Sequence, residues 1–239
     1  MRAAFNTFGY DIVRLKRQGG ARPIKKPTET SHLEILLDES FQASIDEVCD
    51  LTLLDTARLA NLWQLCRMSN PAGSIIEIGS YKGGAALHMS NSCPNRHIFV
   101  CDTFEGFGNL PIDSRLDRLF SRGDFVDTNL TYVQTAWKAK ERDVTWVKGS
   151  FPESAASVEV RGISFAHIDV DLYKSTFDAL EFLNPRLIDR SLIVLDDYMR
   201  SVEGVMKATG DFLKLHPEWI CLPIYPGQGL MIHQSWFGR

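Results

Sequence analysis

Ile163-Ser164-Phe165-Ala166-His167-Ile168-Asp169-Val170-Asp171 is a short, largely apolar run that ends in two carboxylates, and Ser191-Leu192-Ile193-Val194-Leu195-Asp196-Asp197 repeats its shape. Aspartate is a poor strand residue. Its appearance where each apolar run stops points to carboxylates delivered to one edge of a buried parallel sheet, the edge at which open α/β sheets bind ligands. Three such carboxylates converging on one point would repel one another and raise each other's pKa unless a cation lay between them. An all-oxygen set suits Mg²⁺ or Ca²⁺, and no His/Cys set accompanies it, so Asp169, Asp196 and Asp197 are the expected metal ligands. Asp171 is better suited to cap the helix expected after it or to hydrogen-bond a neighbour. Asp197 has a capping alternative too, ahead of a helix expected over 201–213.

Outward from these two runs, Ser74–Gly79, His97–Asp102, Val144–Lys148, Trp219–Ile224 and Gly229–His233 have the same strand-like composition. Between most of them lie helix-length segments. Phe177, Leu180, Leu183 and Leu187 line one helix face, and Val202, Val205, Met206, Thr209, Phe212 and Leu213 another. Ser175-Thr176-Phe177-Asp178 has capping-box spacing at the start of the first. Strand and helix alternating in this way imply a parallel sheet with helices on both faces and right-handed crossovers. Tyr225-Pro226-Gly227-Gln228 is too short for a crossover and reads as a hairpin turn, which makes one strand antiparallel. The expected fold is therefore α/β: a Rossmann-like, seven-stranded, mostly parallel sheet with a C-terminal hairpin, in the layout of the class I methyltransferases.

Two regions flank or interrupt this sheet. Before it, Leu33, Leu36 and Leu37, then Ile45, Val48 and Cys49, then Leu59, Leu62, Trp63 and Cys66 recur at helical spacing, with Asp55 or Thr56 as a cap for the last helix. Within it, the about forty residues from Thr103 to Asp143 exceed an ordinary connection, and helices around 113–122 and 128–140 are expected there as cover for the site. The expected organisation is an N-terminal arm with helices over 1–70, serving as lid or oligomer contact, and a core over 71–239 with a lid insertion at about 103–143. Residues 1–31 carry seven Lys/Arg against Asp11 and Glu29. A solvated arm is one reading; an arm that folds over the site or touches a neighbouring subunit is the other, supported by Phe5, Phe8, Tyr10, Ile12 and Val13.

The bulk numbers narrow the class. At 239 residues, with 44% hydrophobic and 23% charged residues, the chain suits one large domain, and its net charge of −4 gives no reason to expect nucleic acid. The five cysteines are scattered without a CxxC pair, which fits a reducing compartment. No apolar stretch approaches the ~20 residues of a membrane span, and the N-terminus has no apolar signal region, so a cytoplasmic address is expected.

Glu77-Ile78-Gly79-Ser80-Tyr81-Lys82-Gly83-Gly84 is a glycine-rich turn after the first strand. Ser80-Tyr81 interrupts the spacing of the GxGxxG dinucleotide fingerprint. An acidic strand end followed by glycines fits S-adenosylmethionine instead, whose amino-acid part needs no phosphate cradle. Asp102, closing the second strand, is suited to accept ribose hydroxyls. Phe104 and Phe151, each just past a strand end, are candidates to border adenine. His88 reads as a packed or surface histidine and Lys174 as a solvated first-turn residue. His167 shares a strand face with Asp169, which allows a role beside the metal.

Together these stretches resemble the macrocin-type (TylF/MycF) O-methyltransferases, which methylate sugar hydroxyls of macrolides and related natural products. The matching pieces are Ile76–Gly84, Asp102–Phe107, Val147–Ser154, His167–Thr176 and Val194–Tyr198, in family order across about 75–235. The resemblance implies that Glu77, Gly79, Ser80, Tyr81, Gly84, Asp102, Thr103 and Phe104 hold S-adenosylmethionine. It further places Gly149, Ser150 and Phe151 near the adenine, and Mg²⁺ on Asp169, Asp196 and Asp197. The family commonly has arginine where Lys82 and His167 stand. The expected activity is methyl transfer to one hydroxyl of a vicinal diol, with Asp169 as general base, on a free or glycan-linked sugar and in a homo-oligomer. A catechol-type substrate, a nicotinamide-dependent oxidoreductase and a non-catalytic cofactor- or metal-binding protein are the alternatives.

Overall fold

The computed structural model describes residues 34–137, 141–199 and 202–238; the basic arm over 1–31 lies outside them. The strands are β1 (Ser74–Ile78), β2 (Ile98–Asp102), β3 (Val144–Lys148), β4 (Ile163–Ile168), β5 (Leu187–Leu195), β6 (Trp219–Ile224) and β7 (Gln228–His233). They form one seven-stranded sheet in the order β3-β2-β1-β4-β5-β7-β6. Neighbours among β1 to β5 pair in parallel, and β7 runs antiparallel to both β5 and β6, as the short hairpin requires. Strand order reverses between β1 and β4, so the turns after Ile78 and Ile168 leave the sheet side by side and open a crevice.

The helices are α1 (Glu39–Val48), α2 (Thr56–Met68), α3 (Gly84–Ser92), α4 (Leu130–Trp137), α5 (Tyr173–Leu183) and α6 (Glu203–Leu215). Period-two alternation divides the strand residues between two apolar layers. Ile75, Val100, Phe165 and Val194 pack with Phe41, Leu62 and Leu87 from α1, α2 and α3. Ile76, Cys101, Ala166 and Ile193 pack with Leu180 from α5 and Val205 and Phe212 from α6. Asp55 caps α2 as expected, accepting a hydrogen bond from the Arg58 backbone at 2.9 Å.

Three sequence expectations change. Leu187 belongs to β5 rather than to the face of α5, which ends at Leu183 before a single 3-10 turn over Asn184–Arg186. Pro185 has no N–H to continue the helical ladder. In the insertion, α4 is the one α-helix among the described residues, and 113–122 is a succession of turns. Asp113 accepts from the backbones of Arg115 at 2.7 Å and Leu116 at 3.1 Å, but the next acidic residue, Asp117, is drawn away to other partners. Its Oδ1 accepts the Tyr173 backbone N–H at 3.0 Å, so the insertion caps α5, a task expected of Asp171 or Ser175.

Candidate active site at the reversal of strand order

A cleft of about 240 Å³ lies over the ends of β1, β2, β4 and β5. Of the expected site residues, Glu77, Gly79, Ser80, Tyr81, Asp102, Thr103, Gly149, Phe151, Asp169, Asp196 and Asp197 line it, joined by Asp171. Gly84, Ser150 and Phe104 do not. Gly84 starts α3, where a Cβ would stand 2.6 Å from the Leu51 carbonyl. Ser150 is exposed and its hydroxyl bonds Glu153 at 3.3 Å. The Phe104 ring is buried in the core against Trp146, which corrects its expected place beside adenine.

The glycine turn is built by the protein's own backbone. Gly79 has φ +87, and a Cβ there would come within 2.0 Å of the Asp169 carbonyl oxygen, so close packing of β1 on β4 demands glycine at this position. Asp102 then folds the turn: one carboxylate oxygen accepts the Ser80 and Tyr81 N–H groups at 2.7 and 2.9 Å, and the other accepts the Phe104 N–H at 2.5 Å. Burial raises its pKa while these N–H groups oppose the rise, and the net shift is upward. A ribose hydroxyl at Asp102 would share oxygens that already organise the turn.

The acidic centre differs from the expected trio. Carboxylate oxygens of Asp169, Asp171 and Asp197 lie within 4.8 Å of one another. Asp196 is engaged elsewhere: the Arg58 guanidinium forms a buried ion pair with it, and Gln228 donates to its other oxygen at 3.0 Å. Arg58 also reaches Asp197, at 3.7 Å. Asp171 and Asp197 both adopt left-handed backbone, φ +62 and +54, a conformation aspartate tolerates better than most residues. Burial first, then the neighbouring carboxylates, hold the Asp169 and Asp171 carboxyls well above the usual range. A partly buried, all-oxygen cluster with excess negative charge fits a hard divalent cation.

The cover comes from two loops. Thr52, Leu53 and Leu54, between α1 and α2, form one wall, and Gly106, Phe107, Leu110 and Phe125 of the insertion form another. The insertion is tied to the glycine turn by Asp127, which accepts from the Tyr81 hydroxyl at 2.7 Å and from Lys82 at 2.8 Å, and by the Thr128 hydroxyl donating to the Tyr81 carbonyl at 2.9 Å.

Of the histidine and lysine expectations, those for His88 and Lys174 hold and the one for His167 changes. His88 is a core residue, its ring nitrogens 2.8 Å from Ser44 Oγ and 3.1 Å from the Leu59 carbonyl, and burial pushes its pKa down to about 4. Lys174 pairs with Asp178 at the surface. His167 pairs with Glu77, at 2.9 Å from Nδ1 to Oε1, rather than standing beside the acidic cluster. The sequence reading passed over Arg58, although it lies four and eight residues before Leu62 and Cys66 on the buried face of α2, a place where an unpaired charge would be costly.

Residues 45–219 match the profile of the macrocin-O-methyltransferase (TylF) family. Over 177 residues, 67% of each chain, this protein is 28% identical to the 8-demethyl-8-(2,3-dimethoxy-alpha-L-rhamnosyl)-tetracenomycin-C 4'-O-methyltransferase of Streptomyces olivaceus. It is 24% identical over 163 residues to the demethyldecarbamoylnovobiocin O-methyltransferase of Streptomyces niveus, a match that spans 62% of each chain. The solved structure of the O-methyltransferase NovP shares the fold, with a TM-score of 0.68 at 19% identity over 77% of this chain and 82% of that one.

Proposed function

As a member of the macrocin-O-methyltransferase (TylF) family this chain is an O-methyltransferase, and we propose that it methylates one hydroxyl of a vicinal diol on a natural-product sugar, with Mg²⁺ held by its acidic cluster. The observation that carries the proposal is the meeting of Asp169, Asp171 and Asp197 in the same cleft as the glycine turn. The sugar is inferred from the rhamnosyl group in the name of the tetracenomycin relative. A cytoplasmic, homo-oligomeric enzyme completes the proposal.

When bound, S-adenosylmethionine supplies an electrophilic methyl group, and Mg²⁺ supplies acidification and alignment of a hydroxyl that is otherwise a weak nucleophile. The residues suited to hold the cofactor are Glu77, Gly79, Ser80, Tyr81, Asp102, Thr103, Gly149 and Phe151, which line one side of the cleft. Asp169, Asp171 and Asp197 are suited to hold the cation. Asp196, clamped by Arg58 and Gln228, fixes the backbone from which Asp197 projects. Asp169, whose carboxylate lies in the cleft beside Asp171 and Asp197, is the group proposed to accept the hydroxyl proton. Leu54, Leu110 and Phe125 supply apolar lining beside the reacting groups.

Calorimetric titration with S-adenosylhomocysteine, with and without Mg²⁺, is the direct test. Binding of the nucleoside is expected; its absence together with clear binding of NADH would overturn the proposal. Asp197→Ala is expected to lower turnover by about a hundredfold or more while nucleoside affinity stays within about twofold. Undiminished turnover in excess chelator would remove Mg²⁺ from the scheme.

A further inference from the structure

Glu77 and His167 face each other across β1 and β4, in register and on the same side of the sheet as Val100 and Val194. Both are buried, at 1% and 0% exposure, in a mostly apolar layer. Nδ1 of His167 lies 2.9 Å from Glu77 Oε1, so the ring donates there from its Nδ1–H. The second carboxylate oxygen, Oε2, has no hydrogen-bond partner, and neither has Nε2 of His167. Glu77 also lines the cleft. A buried carboxylate oxygen without a donor costs more than the average hydrogen bond gains, and such an atom beside a ligand cavity asks for a donor from the ligand.

The surroundings specify what kind of donor. Among the described residues His167 is the only ion-pair partner of Glu77, and no Lys or Arg pairs with it. The neighbouring Cys101 thiol has its pKa raised by burial first and then by the charges of Glu77 and Asp102, which marks this end of the cleft as negative. A cationic N–H group satisfies both conditions. The amino-acid part of S-adenosylmethionine carries one, as an α-ammonium, and so does S-adenosylhomocysteine.

We infer that His167 is a positioning residue: by holding Oε1 of Glu77 it leaves Oε2 as the acceptor for the ammonium group of the cofactor's amino-acid part. The inference rests on the proposed use of S-adenosylmethionine. It assigns His167 to cofactor recognition rather than to the metal centre, although it stands two residues before Asp169 in sequence.

Two nucleosides separate a positioning role from a general one. S-adenosylhomocysteine has the amino-acid part; 5′-methylthioadenosine keeps the adenosine and sulfur and lacks it. By calorimetry, His167→Leu is expected to weaken S-adenosylhomocysteine about tenfold or more and to leave methylthioadenosine within about twofold. His167→Asn, whose amide falls near the Nδ1 position, should recover most of the loss. His167→Gln, whose amide reaches towards Nε2 instead, should behave like the leucine variant, and the Asn/Gln comparison carries the test if leucine does not fold. Equal losses for both nucleosides, or no loss for either, would overturn the inference. Failure of wild-type protein to bind S-adenosylhomocysteine is a different result, since it overturns the proposed activity and the inference with it.

Discussion

Arg58 shows how much one side chain decides. It is 7% exposed, its guanidinium meets Asp196 at 2% exposure, and Asp55, Asp169 and Asp197 add to the attraction that outweighs its burial and raises its pKa. Removing one partner of such a pair leaves an uncompensated buried charge. Arg58→Met is therefore expected to cost about 3–5 kcal/mol in urea unfolding, and Arg58→Met combined with Asp196→Asn to cost less than the two changes summed. His88 gives a second residue-scale expectation. Its folded pKa is depressed from 6.5 to about 4, so between those values the unfolded chain binds the extra proton and the native protein does not. Stability from this group is full above pH 6.5 and falls as pH drops towards 4, by roughly 3 kcal/mol at most. His88→Gln should flatten that part of the stability–pH curve; an unchanged slope would count against a neutral native histidine.

Among the elements, the insertion is the least regular and the most connected to the site. Asp117 is 1% exposed, satisfies the first N–H of α5, and lies where a Cβ on Gly204 would come within 2.3 Å of its Oδ1, so it joins the insertion to both α5 and α6. The helix it caps begins two residues after Asp171. Asp117→Ala should cost about 1–2 kcal/mol and speed hydrogen exchange at the Tyr173 amide, with the β6–β7 hairpin unaffected. Equal acceleration in both places would mean global destabilisation rather than a lost cap. A sequence reading sees a connection of about forty residues here and expects helices in it. The structure spends the same aspartates on local turns and one distant cap.

At the scale of the whole molecule, the acidic cluster opposes the fold that presents it. Asp169 and Asp171 have folded pKa values raised above the ordinary 3.8, so the native state binds more protons than the unfolded chain as pH rises from that value. Their contribution is present at low pH and is lost as pH rises through the raised values. A cation that binds only the native cluster restores it, and gains most where protons no longer compete. The rise in Tm on adding Mg²⁺ should accordingly be larger at pH 8 than at pH 5.5, and Asp197→Ala should abolish it; an equal rise at both values would argue against the cluster as the binding site. The mostly parallel sheet, its terminal hairpin and the edge at which ligands bind were legible in the chain itself, because strands covered on both faces must be continuous apolar runs and a four-residue link permits only a hairpin. The glycine turn and strand-end carboxylates were legible for the same local reason. Which carboxylates gather was decided by tertiary contacts: Asp196 is taken by Arg58, 138 residues away, and Asp171 turns in to replace it. Phe104 went to the core and His167 to Glu77 by the same kind of choice. Periodicity records which side of an element is buried, whereas the partner a buried polar group meets is set by chain segments that come together only when the whole sheet has closed.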